Sequence, residues 1–391
     1  MTTSQTQQTD WHLPHCPAPT DWSVDWAAIE RAYPFLAPMA SCEQDPTWHR
    51  EGDVLTHTRM VCEALADMPA WRSLPPTERS IVFAAALLHD VAKPAASQIE
   101  DGRIRSFGHS AKGARMSRLL CWQSPEMFEL DTLPCRCQFS IRRQIVALVR
   151  YHGAPLNLLK RDDPQRDMIG LSQFLRCDLL AILAEADVHG RIADDTDDLL
   201  ERVELFRQLA EEMNCLTGPR PFASPHTRWL YLRGRDISPD VEAYDDTQFQ
   251  ITLMSGLPGS GKNTWIDANL PELPVVSLDA IRREIGAPPT GNQGPVVQLA
   301  KDRARVLMRE NRPFVWNATS AALSVRTQLL RLFFDYKARV RIVYLEPSWK
   351  KLLQRNRTRP EGERLPEDAL RKLAERLDVP EINEAPQVDY Y

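Results

Sequence analysis

Long apolar runs are what this 391-residue sequence most plainly lacks. None approaches the ~20 consecutive residues that span a bilayer, and the opening MTTSQTQQTD is polar. Neither a membrane span nor a secretory leader is therefore expected, and the cytoplasm is the expected compartment. A surplus of basic charge is missing too. With a net charge of −5 the chain has no general pull toward polynucleotides, so any such contact has to use a local basic patch. Cysteine is absent after Cys215, and the eight that the chain carries show no paired CxxC spacing. Cys135 and Cys137 form a lone CxC and read as reduced thiols rather than a zinc site. Internal repeats and low-complexity tracts are absent as well. What is left is an ordinary globular composition, 43% hydrophobic and 26% charged, in a chain long enough for two sizeable cores.

Residues 1–48 are rich in proline and tryptophan (Trp11, Trp22, Trp26) and are expected to form an irregular arm packed on the following domain, with the first ten residues disordered. Through residues 49–240 apolar residues recur at helical spacing, most clearly from Ser80 to Lys93 and from Ser172 to Arg191, and this domain reads as all-helical. Pro219, Pro221 and Pro225 interrupt the pattern, and the polar, acidic residues 241–248 read as a linker. From 249 to 391 short apolar runs (Ile251–Met254, Val275–Leu278, Phe314–Trp316, Val340–Leu345) alternate with helical segments, which argues a parallel sheet covered by helices.

The stretch ITLMSGLPGSGKNT, Ile251 to Thr264, organises that second half. An apolar strand feeds a turn in which Gly256, Gly259 and Gly261 permit left-handed geometry and close phosphate approach. The backbone N–H groups through Ser260, the following helix N-terminus and the Lys262 ammonium would then converge on the phosphates of an NTP. The spacing matches the P-loop pattern except at Asn263, where a serine or threonine would hold Mg²⁺. Asn263 offers a neutral amide oxygen in its place, and Thr264 is the next hydroxyl.

The helical half carries a second constellation. His57, the adjacent pair His89 and Asp90, His109, His152 and Asp187 occur in that order, with Lys93 one turn after Asp90 and Arg191 four residues after Asp187. Imidazole with carboxylate suits Zn, Mn, Fe, Ni or Co better than Ca. His12, His15, His49 and His226 read as surface residues, and His189 lies beside the set without matching it.

These residues resemble the HD phosphohydrolase superfamily. The resemblance implies that His57, His89, Asp90 and Asp187 bind one transition metal, that His109 and His152 complete a second site with Asp90 bridging, and that Lys93 and Arg191 hold the phosphate. Downstream of the P-loop the chain resembles polynucleotide kinases. That implies Asp279 as general base for a 5′-hydroxyl, with Arg282 or Arg283 on the neighbouring phosphate of the polynucleotide. Asn317 and Thr319 would stand near the metal or the phosphates. Leu352 to Arg364 resembles a kinase lid, with Arg355 and Arg359 closing over the phosphates; from Lys350 to Arg376 nine residues are basic and five acidic.

Together the two halves resemble bacterial HD-domain polynucleotide kinases, end-healing enzymes in which an HD phosphoesterase precedes a P-loop 5′-OH kinase. The implied fold is two-domain, an all-α HD-type metal-dependent phosphohydrolase followed by an α/β P-loop kinase. The implied activities are removal of 2′,3′-cyclic phosphate or 2′-phosphate ends and NTP-dependent phosphorylation of 5′-OH ends. RNA or DNA ends and ATP or another NTP are the expected partners, with functional coupling to a nucleic-acid ligase and Mg²⁺ or Mn²⁺ in the kinase half. Two alternatives stand beside it: an HD nucleotidase fused to a small-molecule kinase, and an HD hydrolase regulated by a non-catalytic nucleotide-sensing P-loop module.

Overall fold

Apolar spacing becomes helix throughout the first half of the chain. In the computed structural model, which describes residues 10–288, 292–360 and 364–391, two helices are apolar nearly all round. Pro76–Leu88 buries every residue from Ser80 to Leu88, and Cys177–His189 buries most of its length. Helices of that kind belong at the centre of a bundle. Val54–Asp67 and Cys135–Tyr151, each with one apolar stripe, pack against both. Asp53 caps the first of these by accepting from the Thr56 amide, which fixes where the helix starts and the direction in which His57 enters the core.

Residues before Val54 are more ordered than an irregular arm. A helix spans Trp26–Ala32 and a 3-10 helix Pro34–Ser41. Trp11, Leu13, Ile29, Tyr33, Leu36 and Met39 belong to the same core as the bundle. The Trp11 indole N–H donates to the Phe128 carbonyl at 2.9 Å, giving the buried ring the polar partner it needs. The expectation of disorder concerns residues that, Asp10 apart, lie outside those described. A small exposed hairpin, β1 (Gln98–Glu100) and β2 (Arg103–Arg105), interrupts the helical pattern. Its turn residues Asp101 and Gly102 both take positive φ, as a tight hairpin turn requires.

In the second half five strands make one parallel sheet, β3 (Phe249–Ser255), β4 (Val275–Ser277), β5 (Phe314–Asn317), β6 (Ala338–Tyr344) and β7 (Gln387–Tyr390), in the order β4-β5-β3-β6-β7. The first four follow the expected runs, although Leu278 belongs to the next helix, Leu278–Glu284. β7 is the unexpected fifth. β3 is central and buried, and the chain leaves it toward β4 on one side and later returns to β6 on the other. Parallel sheets bind ligands beyond their carboxyl ends at such a switch point, and the glycine-rich turn lies there.

The chain divides into the compact units Met1–Arg220 and Pro221–Tyr391. The expected boundary at residues 240–241 thus falls inside the second unit. Helix Pro225–Leu232 belongs there because the Trp229 ring packs on Phe334, with centroids 4.6 Å apart, and its N–H donates to the Glu384 carbonyl at 3.3 Å.

Candidate functional site

Six ionisable side chains from five helical segments converge in the first unit. His57 lies within Val54–Asp67, His89 and Asp90 directly follow Pro76–Leu88, His109 opens helix His109–Gln123, His152 follows Cys135–Tyr151, and Asp187 sits in the last turn of Cys177–His189. All but His109 are buried. Each histidine places Nδ1 on a backbone carbonyl: His57 on Gly190 at 3.0 Å, His89 on Ala86 at 2.7 Å, His109 on Ser106 at 2.8 Å and His152 on Val149 at 2.9 Å. A carbonyl only accepts, so Nδ1 carries the proton and Nε2 keeps its lone pair.

The four Nε2 atoms then face one another in two pairs, His57 with His89 at 3.3 Å and His109 with His152 at 3.4 Å. Asp90 stands between the pairs. Its Oδ2 is 3.2 Å from His89 Nε2 and 3.8 Å from His57 Nε2, while its Oδ1 is 3.4 Å from His109 Nε2. Asp187 Oδ1 lies 3.1 Å from His57 Nε2. Ligands about 2.0–2.2 Å from a common ion lie roughly 3.0–3.5 Å from each other, so these separations suit a cation, and opposed lone pairs repel without one. Asp90 Oδ1 is buried and accepts no hydrogen bond among the described residues. The donors fit one transition-metal ion, or two with Asp90 between them.

Cations border this centre. Lys93 Nζ is 2.7 Å from Asp90 Oδ2 and donates to Gln44 Oε1 at 2.6 Å, and Arg191 reaches Asp187 Oδ2 at 3.0 Å. Burial would raise both carboxyls, but the Lys93 charge beside Asp90 and the Arg191 charge beside Asp187 hold them well below the usual carboxylate range. Burial, helped by the neighbouring His89, pushes His152 down to about 4 and so keeps it neutral, the form that ligates.

Two residues here were not expected. His49, read as a surface residue, has a side chain only 13% exposed, and its Nδ1 lies 2.7 Å from Glu51 Oε1. Burial would raise the Glu51 carboxyl, yet hydrogen bonds from His49, His57 and the Ile192 amide hold it below its usual range. The only signal in the sequence is the spacing His49-x-Glu51 shortly before His57, which nothing marks as buried.

In the second unit the glycine-rich turn has the geometry its composition requires. Gly256, Gly259 and Gly261 have φ of 143°, 83° and 104°. A Cβ at Gly256 would come within 2.6 Å of the Leu345 carbonyl oxygen, so only glycine lets β3 turn there. Lys262 opens helix Lys262–Asn269 and folds back on the loop, donating to the Gly256 and Leu257 carbonyls at 2.8 and 3.1 Å. Burial of the ammonium, opposed by Asp279 and reinforced by Arg359, pushes its pKa down to about 8. Asp279 and Arg359 are thus close enough for Lys262 to feel their charge. Arg355 joins them by donating to the Ser260 carbonyl at 2.9 Å.

Asp279 does not cap its helix; Ser277 does, accepting from the Ala280 amide at 3.3 Å. The Asp279 carboxylate, 69% exposed, is ion-paired with Arg282, which also donates to Gln293 at 3.0 Å. Arg283 is exposed on the same helix. Asn263 Oδ1 accepts from the Asn317 side-chain amide at 2.8 Å, a neutral pair at the position where the P-loop pattern has a metal-binding hydroxyl, and the Thr319 carbonyl accepts from the Gly256 amide at 3.0 Å. Of the expected lid, residues 361–363 lie outside those described.

Residues 251–380 match the family model of an AAA domain. This part of the chain is similar to AAA domains, and its glycine-rich turn follows the central strand in the manner of a P-loop. Among solved structures, one from Chloroflexus aurantiacus described as a candidate kinase is similar at 16% identity over 37% of this chain and 86% of its own, with a TM-score of 0.32. No curated protein matches the chain. No helix among the described residues is long and apolar enough to cross a membrane.

Proposed function

We propose that the chain is a two-headed nucleic-acid end-healing enzyme, whose kinase-like unit phosphorylates polynucleotide 5′-OH ends and whose helical unit removes 2′,3′-cyclic phosphate or 2′-phosphate ends. The observation that carries it is the pairing, in one chain, of a glycine-rich phosphate cradle with a buried carboxylate set among four inward-facing imidazole lone pairs. One is suited to transferring a phosphoryl group and the other to hydrolysing one.

In the kinase-like unit Asp279 accepts the proton of the attacking 5′-hydroxyl. The new bond joins the 5′-oxygen to the γ-phosphorus, the bond from that phosphorus to the β-γ bridging oxygen breaks, and the nucleoside diphosphate leaves. Lys262, Arg355 and Arg359 stabilise the charge that develops on the phosphoryl oxygens. Arg282, released from Asp279, or Arg283 holds the adjacent polynucleotide phosphate. Mg²⁺ or Mn²⁺ accompanying the NTP supplies charge neutralisation, and Asn263 and Asn317 offer it only neutral amide oxygens. In the helical unit His57, His89, Asp90, Asp187, His109 and His152 would hold one or two transition-metal ions, which polarise the phosphate ester and acidify water. Lys93 and Arg191 orient the phosphate by charge-assisted hydrogen bonds. A nucleic-acid ligase would consume both healed ends.

The test is a cleaved RNA bearing 2′,3′-cyclic phosphate and 5′-OH ends, with both termini analysed after incubation with ATP and a transition metal. Protein that binds ATP yet transfers no ³²P to a 5′-OH oligonucleotide would sink the kinase reading. The Asn263–Asn317 pair favours a second reading, in which the P-loop unit senses nucleotide without turnover and regulates the hydrolase. Asp279→Ala separates them: a kinase loses about 10²–10⁴-fold in turnover with ATP binding kept, whereas a sensor keeps its nucleotide response.

A further inference from the structure

Glu51 is a buried carboxylate that the proposed chemistry does not use. Its side chain is 1% exposed, and no lysine or arginine lies within ion-pair distance of it among the described residues. A charge so placed is costly unless its oxygens are satisfied. Here they are, by imidazoles and a backbone amide. Oε1 meets His49 Nδ1 at 2.7 Å and His57 Nδ1 at 3.1 Å, and Oε2 accepts from the Ile192 amide at 3.0 Å.

His57 is the member of the histidine set that most needs such a partner. His89 and His152 directly follow helices, where the carbonyls of Ala86 and Val149 in the last turn have no partner in the helical ladder and are open to Nδ1. His57 lies inside Val54–Asp67, where the preceding carbonyls are engaged by the helix itself. Its Nδ1 therefore draws acceptors from elsewhere, the Gly190 carbonyl at 3.0 Å and Glu51. Both come from one stapled junction. The Arg50 amide donates to the Ile192 carbonyl at 3.2 Å while Glu51 takes the Ile192 amide, tying the loop before Val54 to the turn that carries Gly190. The same loop reaches Lys93 through Gln44.

We infer that Glu51 is a positioning residue of the metal centre, holding His57 in the Nδ1–H tautomer and the ring orientation that presents Nε2 to the ion, with His49 steadying the carboxylate. The inference rests on the reading of this cluster as a metal site. An ionised carboxylate accepts and does not donate, so His57 Nδ1 keeps its proton against it. A cation on Nε2 in turn strengthens the Nδ1–H donor, so ion and carboxylate reinforce each other through the ring. Loss of such an outer partner typically costs 10–100-fold in metal affinity.

The test uses full-length protein freed of metal and titrated with Co²⁺, whose visible absorption reports affinity and coordination without any assay of turnover. Glu51→Ala is expected to weaken Co²⁺ binding about 10–100-fold and to change the shape of the band. Glu51→Gln, which keeps an acceptor but not the charge, is expected to fall between it and wild type; His49→Ala is expected to lose less. Circular dichroism identifies the variants that remain folded, and Glu51→Gln and His49→Ala carry the test if Glu51→Ala does not fold. Wild-type affinity and band shape in folded Glu51 variants would overturn the inference, even if their melting temperature falls, because a purely structural role moves stability and not coordination. If the wild-type chain itself binds no Co²⁺, the metal-site reading fails first, and His57→Ala and Asp90→Ala will look like the parent.

Discussion

Lys262 shows how the proposed nucleotide site would be poised before substrate arrives. Its ammonium is folded onto two loop carbonyls, and burial, partly offset by Asp279, brings its pKa from 10.5 to about 8. For stability the sign is that of a depressed lysine: the folded chain holds fewer protons than the unfolded chain between those values, so the group costs stability below pH 8 and the cost fades as pH rises toward 10.5. Nucleotide binding runs the opposite way, because phosphates favour the ammonium. Affinity for ATP is therefore expected to be flat below about pH 8 and to fall by up to about tenfold per unit above it, as binding begins to take up a proton. Calorimetry from about pH 7 to about pH 9.5 in two buffers of different ionisation enthalpy measures both quantities. Affinity that stays constant across the window, with no proton uptake, would show that the ammonium keeps its charge in the free chain.

At the scale of the element, the helical site depends on how closely two helices approach. A Cβ at Gly190 would lie 2.4 Å from Val61 Cγ2 and 2.7 Å from the Val61 backbone nitrogen, so the end of Cys177–His189 meets Val54–Asp67 across a glycine. The Gly190 carbonyl is also what His57 Nδ1 donates to. Gly190→Ala is expected to force the two apart at a cost of about 1–3 kcal/mol, lowering the melting temperature by roughly 2–12 °C, and to weaken metal binding with it. Gly218→Ala, where an added Cβ meets nothing, is the control and is expected to melt within about 0.5 kcal/mol of wild type. A Gly190→Ala chain as stable as the control would show that the helices have room to spare.

Elements were legible where a periodic pattern or a chemically constrained loop spelled them out. The apolar helices Pro76–Leu88 and Cys177–His189, strand β3 and the glycine-rich turn all follow from runs that have one reading. β7 did not, because Gln387–Tyr390 is short, at most half-buried and without an apolar run. The β1–β2 hairpin was signalled by Asp101-Gly102, but its strands carry exposed polar residues and no core face. Among the candidate site residues, the histidines and aspartates were legible through their resemblance to the HD superfamily. Glu51 and His49 were not, since their burial comes from a loop whose path depends on contacts with residues 190–192, far along the chain. Arg326 is a similar case. It is fully buried, paired with Glu384 through two hydrogen bonds of 2.7 and 2.8 Å, and donates to the Ser320 and Ala321 carbonyls just after β5. Glu384 lies far along the chain, so nothing local marks this arginine on an amphipathic helix as buried.

For the whole molecule, the two units keep separate cores. The core of the first draws on residues from Trp11 to Cys215, and those of the second on residues from Phe249 onward. The ionisable clusters are divided in the same way, with the histidine set in Met1–Arg220 and Lys262, Asp279, Arg355 and Arg359 in Pro221–Tyr391. Each proposed reaction draws its named residues from a single unit. Asp90→Ala is therefore expected to abolish metal-dependent phosphoesterase activity and leave 5′-kinase activity within about twofold of wild type, and Asp279→Ala to do the reverse with a kinase loss of about 10²–10⁴-fold. An equimolar mixture of the two variants should then heal both ends of a cleaved RNA, because each supplies the activity the other lacks. Quantifying both termini by gel and mass spectrometry decides it. If either variant loses both activities while folded, or if the mixture heals only one end, the two clusters act as one coupled site and the division into independent heads is wrong.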